Sequence, residues 1–108
     1  MAAGWKDWLD ELIAAGKKIA RDEIVDLVSS AKQDSNEFLR RQGRKLERYL
    51  GQLAAGEITV DEFKTLVRQL RTLIEEEAEE MSTRAAVRAQ RLTEDITRLI
   101  LGQLLRRL

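Results

Sequence analysis

Apolar residues recur along this chain at the spacing of an α-helix. In the first half, Ile13, Ile24 and Leu46 are separated by multiples of eleven residues, and in the second half Phe63 and Ile74 repeat the same interval. Eleven residues complete about three helical turns, so helices with this period pack nearly straight against one another in a hendecad-like pattern. The pattern therefore predicts an all-α protein.

The segment around Gly56 interrupts this pattern. A glycine there suits the left-handed conformation with which many helices end. Just after it, Thr59 and Glu62 have the spacing of a capping box, in which each side chain accepts a hydrogen bond from the backbone N–H of the other residue. These signals predict the end of one helix and the start of the next.

The predicted elements are a helix over about 4–54, a turn over 55–59 and a helix over about 60–107. Polar residues around Ser35 and Ser82 are weaker candidates for breaks, but the hydrophobic period continues through both. Both helices are therefore predicted to be continuous, and each would be about 70–75 Å long at 1.5 Å per residue.

Together these helices form an antiparallel hairpin, which is a single domain over residues 1–108. When the chain folds back at the turn, Leu50 lies opposite Phe63 and Ile13 lies opposite Ile100, so apolar positions match along the whole length. The predicted core seam consists of Ile13, Ile24, Val28, Leu39, Leu46, Leu50, Phe63, Val67, Ile74, Ile96 and Ile100.

A two-helix hairpin has only one seam, which leaves much apolar surface in water. Small chains with a single core are also marginally stable on their own. The sequence therefore predicts a homo-oligomer. Its simplest form is a dimer that makes a four-helix bundle, and a larger helical oligomer is the alternative.

The composition removes several classes of chemistry. The chain has no His and no Cys, so structural zinc sites of the usual kind, thiolate nucleophiles and imidazole bases are excluded. The Glu run and the cluster of Asp22, Glu23 and Asp26 could pair carboxylates for acid–base work, but a thin two-helix rod offers no concave pocket for them. We therefore expect a non-enzymatic protein with no catalytic, cofactor-binding or metal-binding residues.

The sequence shows no targeting or membrane-spanning segment. No apolar run approaches the roughly 18–20 residues that cross a bilayer. The first residues lack the basic region and the uninterrupted apolar core of a signal peptide. A cytoplasmic location is the expectation that follows.

The predicted hairpin brings the two chain ends together, and Trp and Leu concentrate there. A Trp- and Leu-rich surface is typical of a partner-docking site and of an interfacial amphipathic helix. Protein contact is favoured over lipid because Asp7, Asp10 and Glu11 lie on the same segment. The predicted partner or membrane contacts are Trp5, Trp8, Leu9, Leu12, Leu101, Leu104, Leu105 and Leu108.

Charge is segregated although the chain carries 19 basic and 19 acidic residues. A basic belt near the turn, predicted to meet an anionic partner, consists of Arg40, Arg41, Arg44, Lys45, Arg48, Lys64, Arg68 and Arg71. An acidic group follows at Glu75, Glu76, Glu77, Glu79 and Glu80. A solvated face, or pairing of the belt with the acidic group of another copy, is favoured. Zero net charge and few aromatic residues argue against nucleic acid.

The turn region also resembles a known motif. Its residues are Leu46, Leu50, Leu53, Gly56, Glu57, Ile58, Thr59, Glu62, Phe63 and Leu66. Over residues 46–66 they resemble the SHOCT motif, a short helix–turn–helix. The resemblance implies a role in oligomerisation, often in proteins linked to membranes.

These features lead to one main hypothesis and two alternatives. The main hypothesis is a non-enzymatic structural or protein–protein interaction module that assembles with itself through its apolar seam. The first alternative is a membrane-active or lipid-associated amphipathic helical protein that contacts an anionic surface. The second is a nucleic-acid-binding protein that uses the basic belt.

Overall fold

The computed structural model describes residues 4–16 and 19–108, and the residues it describes form five α-helices. In chain order they are α1 (Trp5–Ala14), α2 (Arg21–Lys32), α3 (Glu37–Ala54), α4 (Val60–Ala78) and α5 (Thr83–Asp95). A π-helical segment, Ile96–Leu104, continues α5 towards the C-terminus. This part of the chain is all-α, as predicted. None of its helices has both the length and the apolar character needed to cross a membrane.

The turn between α3 and α4 forms where the sequence places it. Gly56 adopts a left-handed conformation with φ of +74°. The N–H of Glu57 donates to the carbonyl of Gln52 at 2.8 Å, which ends α3 in a Schellman motif. The capping box is present, with Thr59 and Glu62 exchanging hydrogen bonds of 2.9 and 3.1 Å. Local signals were therefore sufficient to predict this turn.

The structure does not confirm the two continuous helices, since each predicted helix is divided. The first helix breaks after α1, where Gly16 has a φ of +86°, and again before α3, where Asn36 accepts a hydrogen bond from the N–H of Leu39. The second breaks before α5, where Ser82 caps the N–H of Ala85. Residues 17 and 18, which the first predicted helix included, lie outside the described part.

Hydrophobic spacing did not reveal these breaks because it measures only the distance between buried residues along the chain. A loop of about four residues, the length of one helical turn, keeps the spacing between buried residues along the chain. The helix axis nevertheless changes direction at the loop. The side chains of Asn36 and Ser82 then satisfy amide groups at the new helix starts. Capping chemistry was therefore the better guide at these positions.

The helices pack into a closed bundle instead of a rod. α3 lies beside α4, α4 beside α5, and α5 with its π-helical extension beside α2, which packs on α3. α1 covers α2 and α3. The molecule extends 42 × 27 × 23 Å, well short of the predicted rod. Its radius of gyration is 13.7 Å, close to the roughly 13 Å of a compact chain of this length.

The register between α2 and α5 differs from the predicted one. The predicted hairpin placed Glu23 opposite Gln90, but the carboxylate of Glu23 lies 2.8 Å from Nη1 of Arg98. The loops that separate the helices shift this pairing by about two helical turns. The two segments are neighbours, as predicted, but with different residues in contact.

Nearly all of the predicted seam is buried, but inside a single chain. Every seam residue except Ile13 is at most 1% exposed, whereas Ile13 is 41% exposed because α1 turns Trp5 and Leu9 inwards instead. The accessible surface of 6592 Å² is near the roughly 6100 Å² of a folded monomer of this mass. The chain therefore covers its own core, which removes the original reason for expecting a homo-oligomer.

One buried polar side chain leads to a prediction about stability. Gln42 on α3 is 3% exposed, and its Oε1 accepts no hydrogen bond from the described residues. An unsatisfied buried acceptor costs about 1–3 kcal/mol. Replacing Gln42 by Leu is therefore expected to raise the free energy of unfolding by about 1 kcal/mol, measured by urea denaturation. The control, Gln90→Leu on the exposed face of α5, should change it by less than about 0.5 kcal/mol. A destabilised Gln42→Leu protein would contradict the prediction.

Candidate binding cleft

A concavity lies between α2 and α5. Its volume is about 760 Å³, within the range of roughly 300–1,000 Å³ that is typical of binding sites. The floor is apolar and consists of Leu27, Ala31, Leu39, Leu92 and Leu99. Charged side chains form the rim. The floor residues are each at most 8% exposed, so the cleft reaches down to the core, and this combination of an apolar floor and a charged rim makes it the main candidate site.

An ion pair crosses the cleft at each end. At one end Arg88 of α5 binds both carboxylate oxygens of Asp34, with N–O distances of 2.9 and 3.1 Å. At the other end Arg98 lies 2.8 Å from Glu23 of α2. The two acidic residues are eleven positions apart in the chain, which corresponds to about 16 Å of helix. The two ion pairs therefore mark the two ends of the cleft.

The pair at Asp34 is the more buried of the two, because the Asp34 side chain is only 10% exposed. Burial alone would raise the pKa of this carboxyl. Hydrogen bonds from Arg88 and from the N–H of Asn36 outweigh that effect and hold the pKa below its ordinary value. Arg40 also donates to the backbone carbonyl of Asp34 at 3.1 Å. Through its ion pair with Arg88, Asp34 therefore holds the loop between α2 and α3 against α5.

Replacing Asp34 by Asn is expected to lower the free energy of unfolding by about 2 kcal/mol at pH 7, because hydrogen bonds to a charged group are lost. The folded pKa is below the unfolded value of about 3.9. The carboxylate therefore stabilises the fold fully above that value, and the stabilisation disappears as pH falls through the folded pKa.

Urea denaturation at pH 7, 4 and 3 measures this effect. The difference between the wild-type and Asp34→Asn proteins should shrink as the pH falls. A difference that stayed constant over this range would show that the ionised carboxylate is not what stabilises the loop. Asp22 on α2 is exposed, and Asp22→Asn serves as the control. This substitution should change the free energy of unfolding only slightly at each pH.

Two opposite charges remain in the middle of the cleft. Asp26 on α2 and Arg91 on α5 are both exposed and both line it. Neither forms an ion pair with another described residue, in contrast to the pairs at the two ends. A ligand could therefore meet an apolar floor, an acidic group on one wall and a basic group on the other.

The predicted contact surface at the chain ends is largely buried, which corrects its interpretation as a free docking site. Trp5 is 7% exposed, and Leu9 and Leu104 are fully buried. Trp5 also lines a small space between α2 and α3 with Lys32 and Glu47. Four of the predicted contacts, Trp8, Leu12, Leu101 and Leu105, are partly buried against the core. Leu108 is the one large apolar residue of this set that is exposed, at 39%.

The basic belt is only partly free. Arg40 binds the Asp34 carbonyl, and Arg71 donates to the hydroxyl of Thr97 at 3.1 Å. The exposed members, which form no ion pair with the described residues, are Arg41, Arg44 and Arg48 on α3 and Arg68 on α4. Lys45 and Lys64 are half-buried. The structure therefore brings the belt together on the α3–α4 layer, but it uses some of the belt to hold helices together.

The sequence-based interpretation missed the cleft, including Asp26 and Arg91. These two residues line the same concavity because α2 and α5 are separate helices that lie side by side. The N-caps Asn36 and Ser82 were the available signal, since they mark where these helices separate from α3 and α4.

Comparison with protein-family models, with curated proteins and with solved structures finds no match to this chain. The resemblance of residues 46–66 to the SHOCT motif stays a prediction. It concerns the helix–turn–helix that α3 and α4 form around Gly56.

Proposed function

We propose that this protein is a non-enzymatic protein–protein interaction module that binds a partner segment in the cleft between α2 and α5. The observation that carries the proposal is the apolar floor beneath two opposite charges, Asp26 and Arg91, neither of which forms an ion pair with a residue that the structure describes. Interfaces commonly bury a few apolar anchors within a polar rim. The proposal keeps the interaction role predicted from the sequence. It assigns binding to the cleft instead of the apolar seam, because the seam is buried inside the chain.

The cleft also limits the chemistry of the partner. An apolar side chain would fill the space above Leu27 and Leu92, a basic one would pair with Asp26, and an acidic one would pair with Arg91. The ion pairs at the two ends leave room for about three turns of helix. A short amphipathic helical segment with one charge of each sign therefore fits best. The membrane alternative loses its main support, because Trp5 is buried.

A random peptide library displayed on phage provides a probe that does not require a known partner. Peptides that bind the wild-type protein are expected to combine apolar residues with one acidic and one basic residue. Their binding should shift the backbone amide signals of α2 and α5 in NMR spectra, and not those of α4, which contributes no residue to the cleft. Failure to enrich any peptide, or signal changes confined to other helices, would contradict the proposal.

Charge variants then test the two polar contacts. Arg91→Glu and Asp26→Lys are each expected to lower the affinity for a selected peptide at least tenfold, equivalent to about 1.4 kcal/mol. The double variant should select peptides in which the two charges are exchanged. Arg84→Glu, an exposed position on α5 outside the cleft, is the control and should bind as the wild-type protein does. Unchanged affinity in the Arg91→Glu protein would exclude this pairing.

A further inference from the structure

The outer face of α4 carries a second concavity, on the opposite side of the helix from the core. It is a shallow depression of about 420 Å³ lined by Thr65, Arg68, Gln69, Thr72, Leu73 and Glu76. Leu73 is 38% exposed there. A single exposed leucine is common on protein surfaces, so the charges around Leu73 carry the argument. This face does not overlap the cleft between α2 and α5.

The order of charge along this face suggests what covers it. Arg68 lies one turn before Thr72 and Glu76 lies one turn after it, and both charged residues are exposed. Neither forms an ion pair with another described residue. A uniformly acidic partner would be repelled by Glu76, and a uniformly basic one by Arg68. An occupant that presents the same two charges in the reverse order complements both groups.

We propose that the occupant is a second copy of this chain, docked through the same face of α4 in antiparallel orientation. A two-fold axis beside Thr72 places Arg68 of each copy opposite Glu76 of the other, so that one ion pair forms twice. The same axis brings the two Leu73 side chains together at the centre. Further along, Thr65 of one copy faces Glu79 of the other. The face is therefore complementary to itself.

This dimer differs from the seam-to-seam dimer expected from the sequence, because it uses the outer surface of a finished bundle. One helix face buries less than the roughly 800 Å² per partner of a standard interface. The association is therefore weak and reversible, and it depends on salt because exposed ion pairs are screened. It occurs on a face separate from the cleft, so its failure would leave the proposed function untouched.

Sedimentation velocity over a range of protein concentrations tests this inference. At about 0.05 M salt the wild-type sedimentation coefficient is expected to rise with concentration, and at about 0.5 M salt it should remain that of a monomer. Arg68→Glu and Glu76→Arg should each prevent association at low salt, because like charges then face each other twice. Arg84→Glu on α5 is the control and should associate as the wild-type protein does. Circular dichroism checks that each variant is folded.

Mixing the two variants gives the most specific result. The Arg68→Glu copy carries two acidic groups and the Glu76→Arg copy two basic groups, so an equimolar mixture restores both ion pairs. We expect the mixture to form heterodimers at low salt although neither variant associates alone. A wild-type protein that remains monomeric at about 0.5 mM and low salt would overturn the proposal. A mixture that fails to associate, or an Arg68→Glu protein that still does, would overturn it as well.

Discussion

Replacing Gly43 by Ala is expected to lower the free energy of unfolding by about 2–3 kcal/mol. Gly43 lies where α3 crosses α2. A Cβ added there would be 2.6 Å from the backbone N of Lys32 and 2.7 Å from the carbonyl carbon of Ala31. These atoms belong to the backbone of a helix and cannot move aside as a flexible side chain would. The two helices would have to separate, which disturbs the core on both sides of the crossing.

Gly51→Ala on the same helix provides a matched control. A Cβ at Gly51 would have no neighbour within 4 Å, so the substitution brings only the helix-forming advantage of Ala, about 1 kcal/mol. Urea denaturation should therefore show that the free energy of unfolding falls with Gly43→Ala and rises with Gly51→Ala, although the two Gly→Ala substitutions are only eight positions apart in α3. If Gly43→Ala stabilised the protein as Gly51→Ala does, that result would contradict the close approach of α2 and α3 at Gly43.

Replacing Leu9 by Ala is expected to cost about 3 kcal/mol, the usual range for deleting a fully buried leucine. Leu9 is 0% exposed although it lies on the short helix α1. The sequence had suggested that this part of the chain was a surface for partners. A large loss of stability would show that α1 is part of the core.

The control for this prediction is Ile13→Ala on the same helix. Because Ile13 is 41% exposed, its replacement should change the free energy of unfolding by less than about 0.5 kcal/mol. Both variants would be followed in urea by circular dichroism and by the fluorescence of Trp5 and Trp8. If Leu9→Ala unfolded α1 alone, the fluorescence change would occur at lower urea than the loss of helical signal. That result would contradict the inclusion of α1 in one cooperative core.

Local chemistry explains what could be predicted along the chain. The turn at Gly56 needed a left-handed residue and a capping box within seven positions, and both are visible in the sequence. Helical periodicity identified the core because a buried helix face repeats every three to four residues. Ile24, Leu50 and Phe63 are completely buried, as their spacing indicated. The candidate site was not predicted, because no run of neighbouring residues contains it.

The sequence by itself determined the helical class of the described residues, the turn at Gly56 and the burial of ten of the eleven seam residues. These properties depend on interactions within a few positions of one another. Only the tertiary structure decided the register between neighbouring helices and the packing of α1 and α2 on α3, and therefore that Asp34 pairs with Arg88 and that Asp26 and Arg91 share a cleft. The reason is physical: periodicity records which side of each helix is buried, but not the direction of its axis. Loops of four to six residues set that direction, and the packing of five helices together selects it.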